Sequence, residues 1–295
     1  MHTGLVVALF GLVSAISWGV SDFFSAKSAK SVGPMLGTTL ISIVGAFIYS
    51  VAYIVLLRHH HNLPMAGFVY AVAAGLFFAL GGAAFFTGLE AGPVSIVSPV
   101  SSVYPLFMTL LTVTIFRTHL TIRELIGILL VVIGVTVASD LLTSKDSKRR
   151  VGKGPAFALL TAVTWGIAYV FLAQAIKRGD WQIMTLVEYI FAALGITALL
   201  PFMKGNEVVS IATVRSGFRN KFIVGAGAIQ IFAFAALSIG IAKSTASGGT
   251  VVTAISACYP ILTIFLALKH FNEEFRLVPL IGVVVGVAGV VLLSL

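Results

Sequence analysis

Long apolar runs fill almost the whole chain, and their length limits what the chain can fold into. A helix needs about 20 mostly apolar residues to cross the hydrocarbon core of a bilayer. Ten runs meet this requirement, namely residues 3–26, 33–57, 66–89, 94–116, 122–142, 154–176, 182–203, 219–242, 248–268 and 275–294. Hydrophobic residues make up 59% of the 295 residues and charged residues 10%, whereas soluble domains carry about 25% charged residues. We therefore predict an all-α integral membrane protein with ten transmembrane helices, in the cell (inner) membrane.

The second half of the chain repeats features of the first half. Four residues recur 147 positions later, and a second set recurs 155 positions later. The first set is Trp18, Gly19, Phe24 and Lys30, repeated as Trp165, Gly166, Phe171 and Lys177; the second is Tyr104, Pro105, Gly127 and Gly134, repeated as Tyr259, Pro260, Gly282 and Gly289. The polar stretch 143–153 separates the halves, so we predict a first repeat at 1–142, a linker at 143–153 and a second repeat at 154–295.

Each predicted repeat contains five spans, which is an odd number. The second repeat must therefore enter the membrane in the orientation opposite to the first. Two inverted repeats that rock around a site near the bilayer midplane are typical of secondary transporters. The repeat thus favours a carrier over other kinds of membrane protein.

The motifs also resemble a known family. A Trp-Gly pair early in each half, a Tyr-Pro pair in each fourth helix and a glycine-rich fifth helix are similar to those of the drug/metabolite transporter superfamily, specifically the EamA-type ten-helix transporters. The resemblance covers nearly the whole chain. It implies a carrier of small molecules with two five-helix halves and with both termini in the cytoplasm.

The charge pattern leads to a different prediction for the orientation. Most of the 19 lysines and arginines fall on the side of the membrane opposite the N-terminus. By the positive-inside rule that side would be cytoplasmic and both termini would lie outside. The charge count and the resemblance therefore leave two orientations open.

Two acidic residues lie inside predicted spans. Asp22 is in the first span, four residues after Trp18 and so on the same helix face, and Glu188 is in the seventh. An ionisable group at the centre of a membrane helix costs at least about 2.5 kcal/mol, which makes both residues candidates for function. Each could bind a proton that couples transport, or could hold an amine-bearing substrate. The alternative is that each lies near an interface and reaches water.

Polar and aromatic residues at equivalent positions of the two halves are the candidate substrate contacts. Pro105 and Pro260 lack the N–H that would bond the carbonyl four residues back, at Ser101 and Ser256. Irregular backbone at membrane depth is either satisfied by protein or lines a cavity, so we expect both kinks to face a central cavity; a packing kink is the alternative. The predicted substrate-binding residues are Trp18, Asp22, Ser101, Tyr104, Trp165, Tyr169, Gln230, Ser256 and Tyr259, and the predicted coupling residues are Asp22 and Glu188.

Other chemistry is absent from the sequence patterns. We find no phosphate-binding loop, no Asp-rich magnesium motif and no dinucleotide fingerprint, so we predict no cofactor, no metal site and no enzymatic activity. The net charge of +9 is best explained by basic loops that meet lipid headgroups, which argues against a nucleic-acid partner. The expected partners are a small-molecule substrate, the lipid bilayer and, if Asp22 or Glu188 titrates, protons.

These observations predict a secondary transporter that moves a small organic metabolite by alternating access. Because the candidate contacts are mostly aromatic and hydroxyl groups, an amino acid, an amine or a similar neutral or cationic solute is favoured. Two alternatives from other classes are a membrane sensor or assembly subunit that transports nothing, and a membrane-embedded lipid-modifying enzyme.

Overall fold

A computed structural model describes residues 3–57, 62–91, 97, 100–138, 153–202, 210–244, 248–262, 266 and 277–294. These residues are almost entirely helical and include no strand. Eleven α-helices of six or more residues are described in this part of the chain: α1 (Thr3–Val32), α2 (Pro34–Ala52), α3 (Met65–Ala91), α4 (Tyr104–Thr114), α5 (Ile122–Ala138), α6 (Gly154–Ile176), α7 (Trp181–Leu199), α8 (Ile211–Phe218), α9 (Lys221–Lys243), α10 (Gly248–Ser256) and α11 (Leu277–Ser294).

Several helices begin at residues that the sequence suits to a helix start. Gly33, at φ 85°, makes the sharp turn between α1 and α2, a left-handed conformation that glycine adopts without strain. Pro34 follows at the first helical position, where its missing N–H costs nothing. Before α5, Thr121 and Glu124 cap each other, with the Thr121 N–H donating to Glu124 Oε2 over 2.7 Å and the Glu124 N–H donating to Thr121 Oγ over 3.2 Å.

Six of the described helices are long and apolar enough to cross a membrane. These spans are Gly4–Ser25, Met35–Leu56, Met65–Gly88, Gly154–Ile176, Trp181–Phe202 and Lys221–Lys243. Large apolar side chains point outward from them: Phe47, Leu56 and Phe232 are each about two-thirds exposed. An apolar outer surface of this kind suits contact with lipid tails.

The remaining predicted spans correspond to shorter apolar helices, so the count of ten stays a prediction. Parts of the runs 94–116, 122–142 and 248–268 lie outside the described residues, as does nearly all of the predicted linker 143–153. The structure also contains a short helix that we did not predict, α8. Its first residues are fixed by Ser210, whose Oγ accepts the Thr213 N–H over 3.1 Å.

The two halves pack against each other through equivalent helix pairs. Helix α1 lies against α9 and α10, and in the corresponding way α6 lies against α3 and α4. Helix α9 also packs on α2, as α3 packs on α7, and α5 crosses α11. Every one of these pairs joins a helix of the first half to a helix of the second, so the core of the molecule is shared between the halves.

The repeated Trp-Gly motif explains one of these contacts. A Cβ atom added at Gly19 would lie 3.0 Å from the carbonyl oxygen of Tyr259, and one added at Gly166 would lie 3.1 Å from that of Tyr104. Each glycine therefore lets its helix approach the backbone of the Tyr-Pro segment in the other half. The motif pairs that first revealed the repeat are thus in direct contact.

Glycines also allow α5 and α11 to cross closely. A Cβ atom at Gly289 would lie 2.8 Å from the carbonyl oxygen of Gly127 and 2.8 Å from the amide nitrogen of Val131. No side chain larger than hydrogen fits such a backbone contact without movement. These two glycine-rich helices, one from each half, therefore form a packing surface between the halves.

Candidate functional site

The Tyr-Pro segments interrupt their helices in the same way. The Leu106 N–H donates to the Val103 carbonyl over 3.0 Å, and the Ile261 N–H donates to the Cys258 carbonyl over 3.0 Å. These are i→i+3 bonds at positions 155 residues apart, and a turn precedes each tyrosine. The kinks expected from Pro105 therefore occur in both halves, in the tighter geometry of a 3₁₀ turn.

The equivalent tyrosines are both buried in the interior of the molecule. Tyr104 is 1% exposed and Tyr259 is 6% exposed, and their phenols are close enough to interact electrostatically. The Tyr104 ring stacks on the Tyr169 ring with centroids 4.9 Å apart and contacts the Trp165 ring edge-on at 6.1 Å. The structure thus brings four of the predicted substrate-binding residues together.

A continuous series of aromatic rings extends from this cluster to Trp18. Phe78 contacts Tyr169 at 4.8 Å and Phe234 at 5.5 Å, and Phe234 contacts Trp18 at 5.0 Å. Tyr189 joins at Phe234, again with centroids 5.0 Å apart. We call the rings of Trp165, Tyr104, Tyr169, Phe78, Phe234, Trp18 and Tyr189 the aromatic array. It connects the two equivalent tryptophans through residues of both halves.

Glu188 lies beside this array and is fully buried. Neither of its carboxyl oxygens has a hydrogen-bond partner within the described part of the chain. Its carboxyl group is close enough to interact electrostatically with the phenols of Tyr49, Tyr169 and Tyr189. A buried carboxyl without a partner is costly, and in this structure Glu188 does not reach water.

The position equivalent to Glu188 in the first half is apolar. A Cβ atom at Gly75 would contact the Glu188 carbonyl oxygen, and one at Gly227 would contact the Ile41 carbonyl oxygen at 2.9 Å. Since Gly75 and Gly227 make corresponding contacts on α7 and α2, Ile41 is the counterpart of Glu188. The acid is therefore present in one half only.

Asp22, the second predicted coupling residue, lies on α1 and is half-buried. Its carboxyl interacts electrostatically with the phenol of Tyr169, its predicted counterpart in the second half. Glu188 interacts with the same phenol. Tyr169 therefore interacts electrostatically with both acids.

The predicted serine pair is not symmetrical in the structure. Ser101 donates to the Val97 carbonyl of its own helix over 2.8 Å. Ser256 instead shares a buried hydrogen bond of 2.8 Å with Ser14, which joins α10 to α1. Sequence reasoning missed Ser14, although its place four residues before Trp18 puts it on the same face of α1.

Two further predicted residues complete the site. The indole Nε1 of Trp18 is buried, and it has no hydrogen-bond partner within the described residues. Gln230 accepts a hydrogen bond on Oε1 from the Tyr189 hydroxyl over 3.0 Å. Phe78, Phe234 and Tyr189 were missed because their positions in the sequence carry no motif; only the folded contacts reveal them.

These features define a multi-pass integral membrane protein made of two similar halves, with a cluster of polar and aromatic side chains between them. A model of the EamA-like transporter family matches the chain twice, at residues 5–139 and 152–295. The chain belongs to the EamA-like transporter family, which is part of the drug/metabolite transporter superfamily.

The chain is also similar to individual proteins. The chain is 26% identical over 218 residues to an uncharacterized transporter from Archaeoglobus fulgidus, covering 72% of this chain and 73% of the relative. It is 29% identical over 141 residues to an uncharacterized protein from Methanocaldococcus jannaschii, covering 47% of this chain but 98% of that protein. A solved crystal structure matches 97% of the chain with a TM-score of 0.70 and 19% identity, over 95% of its own length, which supports the fold.

Proposed function

We propose that this protein is a secondary transporter that moves a small organic metabolite across the membrane by alternating access. Its two five-helix repeats, 1–142 and 154–295, are inverted relative to each other. The solute binds between the halves, at the aromatic array and Glu188. Family membership supports transport, and the shared core supports a site formed by both halves.

The single observation that carries the proposal is the unpartnered carboxyl of Glu188. A protein that only had to be stable would gain by replacing a buried, unbonded acid with an apolar residue, as the first half does at Ile41. Acids kept inside membrane proteins mark the paths of substrates, ions and protons. Glu188 is therefore assigned to binding of the solute or of a coupling proton, with Asp22 as the second acid beside Tyr169.

The Trp18, Tyr104, Tyr169 and Tyr259 side chains are assigned to solute contact. Aromatic faces bind apolar groups and attract cations, and the rings around Glu188 combine both properties. A neutral or cationic solute such as an amino acid or an amine fits these groups. A phosphorylated solute would need Lys or Arg beside it, and the site residues described above include neither.

Flux in proteoliposomes tests the proposal. Solutes that raise the melting temperature of the purified protein in a metabolite screen are radiolabelled, and their movement is followed with and without an imposed pH gradient. Glu188→Gln and Asp22→Asn keep the size of each side chain and remove its charge. We expect Glu188→Gln to abolish gradient-driven accumulation and Asp22→Asn to weaken it.

A matched control lies on the same helix. Thr185 is as buried as Glu188, and its hydroxyl donates to Ser238 Oγ over 2.7 Å. Thr185→Val is expected to lower stability but to leave the dependence of flux on the pH gradient unchanged. Full gradient-driven transport by both acid variants would show that the coupling role is wrong, and the absence of any solute flux in the wild-type protein would refute transport.

A further inference from the structure

Helix α8 lies between two membrane spans but is too short to cross a membrane itself. It stands in the chain between the spans Trp181–Phe202 and Lys221–Lys243. Its eight residues reach only about 12 Å, whereas the hydrocarbon core of a bilayer is about 30 Å thick. The chain just after α8 is fixed to the end of α1, because the Asn220 side-chain amide donates to Ser31 Oγ over 2.8 Å. We therefore expect α8 to lie along the membrane surface.

The two sides of α8 have different surroundings. Ile211, Arg215 and Phe218 follow one another at helical spacing on one face, and all three are exposed, Ile211 by 89%. Gly217 is buried on the other side, where an added Cβ atom would meet the Leu40 side chain of α2. A short helix that presents apolar and basic side chains together, at the end of a membrane span, is suited to the interface between lipid and water.

Basic residues of α1 and α9 meet beside α8. Lys27 follows the span Gly4–Ser25 by two residues, and its ammonium lies 5.3 Å from the centroid of the Phe222 ring. Lys221 is the first residue of α9, and its ammonium lies 5.4 Å from the centroid of the same ring. We call the side chains from these three segments the basic surface, which consists of Lys27, Arg215, Arg219 and Lys221 with the exposed Ile211 and Phe218.

The acids whose side chains the structure describes make their contacts elsewhere. Asp180 and Glu124 accept hydrogen bonds from backbone N–H groups of loops. Glu188 is buried in the core, and Asp22 interacts electrostatically with Tyr169. Several positive charges that lie close together raise one another's energy unless an anion lies among them. The basic surface is therefore suited to an anionic partner.

We propose that the basic surface binds the headgroup of an anionic phospholipid of the surrounding bilayer. Lysine and arginine at the membrane surface attract anionic lipids, and basic pockets between membrane helices bind their headgroups. The lipid phosphate accepts hydrogen bonds from the ammonium and guanidinium groups. The acyl chains lie along the exposed side chains of Val224 and Phe232, which share a face of α9 with Lys221. This lipid site does not depend on the proposed transport function.

Binding of phosphatidylglycerol by the purified full-length protein in neutral detergent tests the proposal. Native mass spectrometry counts the bound lipids as their concentration rises, and zwitterionic phosphatidylcholine is the comparison lipid. We expect the wild-type protein to prefer phosphatidylglycerol and to lose the preference at high salt, because salt screens exposed charges. Inorganic phosphate is the soluble comparison, and it should not displace the lipid because it has no acyl chains to contact α9.

Two pairs of substitutions remove the same charge at different places. Arg219→Gln with Lys221→Gln should weaken binding of phosphatidylglycerol by about 30-fold, at roughly 5-fold for each basic residue. Arg123→Gln with Lys243→Gln is the matched control, because these exposed residues lie at the start of α5 and at the far end of α9; it should leave binding unchanged. Lys27→Gln alone leaves α8 and α9 intact and should weaken binding by about 5-fold. Melting curves in neutral detergent confirm that each variant is folded.

Three outcomes would overturn the proposal. Equal binding of the two lipids by the wild-type protein would show that the basic surface does not recognise an anionic headgroup. An equal loss of binding in the two pairs of variants would show that only the net charge of the protein matters. Displacement of the lipid by inorganic phosphate would show that the surface binds a soluble anion instead.

Discussion

Replacing Glu188 by methionine should make the protein more stable while abolishing coupled transport. Both carboxyl oxygens are buried and unpartnered, and a buried polar group without a hydrogen bond costs about 1–3 kcal/mol by protein mutational data. Methionine has a similar length, no polar group to satisfy, and enough flexibility to fill the space between the tyrosine rings. The free energy of unfolding should therefore rise by about 1–3 kcal/mol.

Thermal unfolding in detergent measures this change. For domains of 150–250 residues, 1 kcal/mol corresponds to roughly 2–4 °C in melting temperature, so Glu188→Met should melt several degrees above the wild type. Thr185→Val is the comparison, because Thr185 lies one turn earlier and is equally buried but is hydrogen-bonded to Ser238. Removing it leaves the Ser238 hydroxyl without that partner and should lower stability by about 1 kcal/mol.

The two substitutions on one helix are therefore expected to shift the melting temperature in opposite directions. If every replacement of a polar by an apolar side chain affected stability alike, both variants would shift the melting temperature in the same direction. The reasoning is refuted if Glu188→Met lowers the melting temperature as Thr185→Val does, because Glu188 would then make a stabilising contact in the folded protein.

Two further predictions concern contacts between the halves. Gly289→Val should prevent most of the protein from folding, because its Cβ would lie 2.8 Å from the Gly127 carbonyl oxygen. Gly82→Ala should fold normally, because the nearest neighbour of its Cβ is 3.8 Å away. Size-exclusion chromatography compares the yields of monodisperse protein, and equal yields would contradict the close crossing. Ser14→Ala should lower the free energy of unfolding by about 1 kcal/mol. Adding Ser256→Ala should lower it little further, because the two hydroxyls bond each other. Losses of melting temperature that add up in the double variant would contradict this.

The sequence predicts the helices well because the bilayer imposes a simple rule on them. Six of the ten predicted spans recur as long apolar helices with ends within a few residues of those expected. Helix α8 was missed because it is only eight residues long and does not cross a membrane. Its one local signal is the Ser210 cap, which many loops also carry.

The candidate site could be predicted only in part. The repeat pointed to Trp18 and Tyr104 because the same residues recur at fixed offsets, and to Tyr169 because it occupies the position equivalent to Asp22. No offset reveals that Ser256 finds its partner in Ser14, 242 residues away, because that depends on how the halves pack. The unsatisfied state of Glu188 is equally invisible in the sequence, since it depends on where the neighbouring tyrosine hydroxyls donate.

The packing of helices from one half against helices of the other half has a consequence for motion. Helices α3, α4, α6 and α7 form one packed group, and α1, α2, α9 and α10 form another. Each group mixes helices of both sequence repeats, so we expect the rigid bodies of the proposed alternating-access cycle to be these two groups rather than the repeats themselves. Distance probes on two helices of one repeat, such as α1 and α3, should therefore report larger changes than probes on α1 and α9, which come from different repeats.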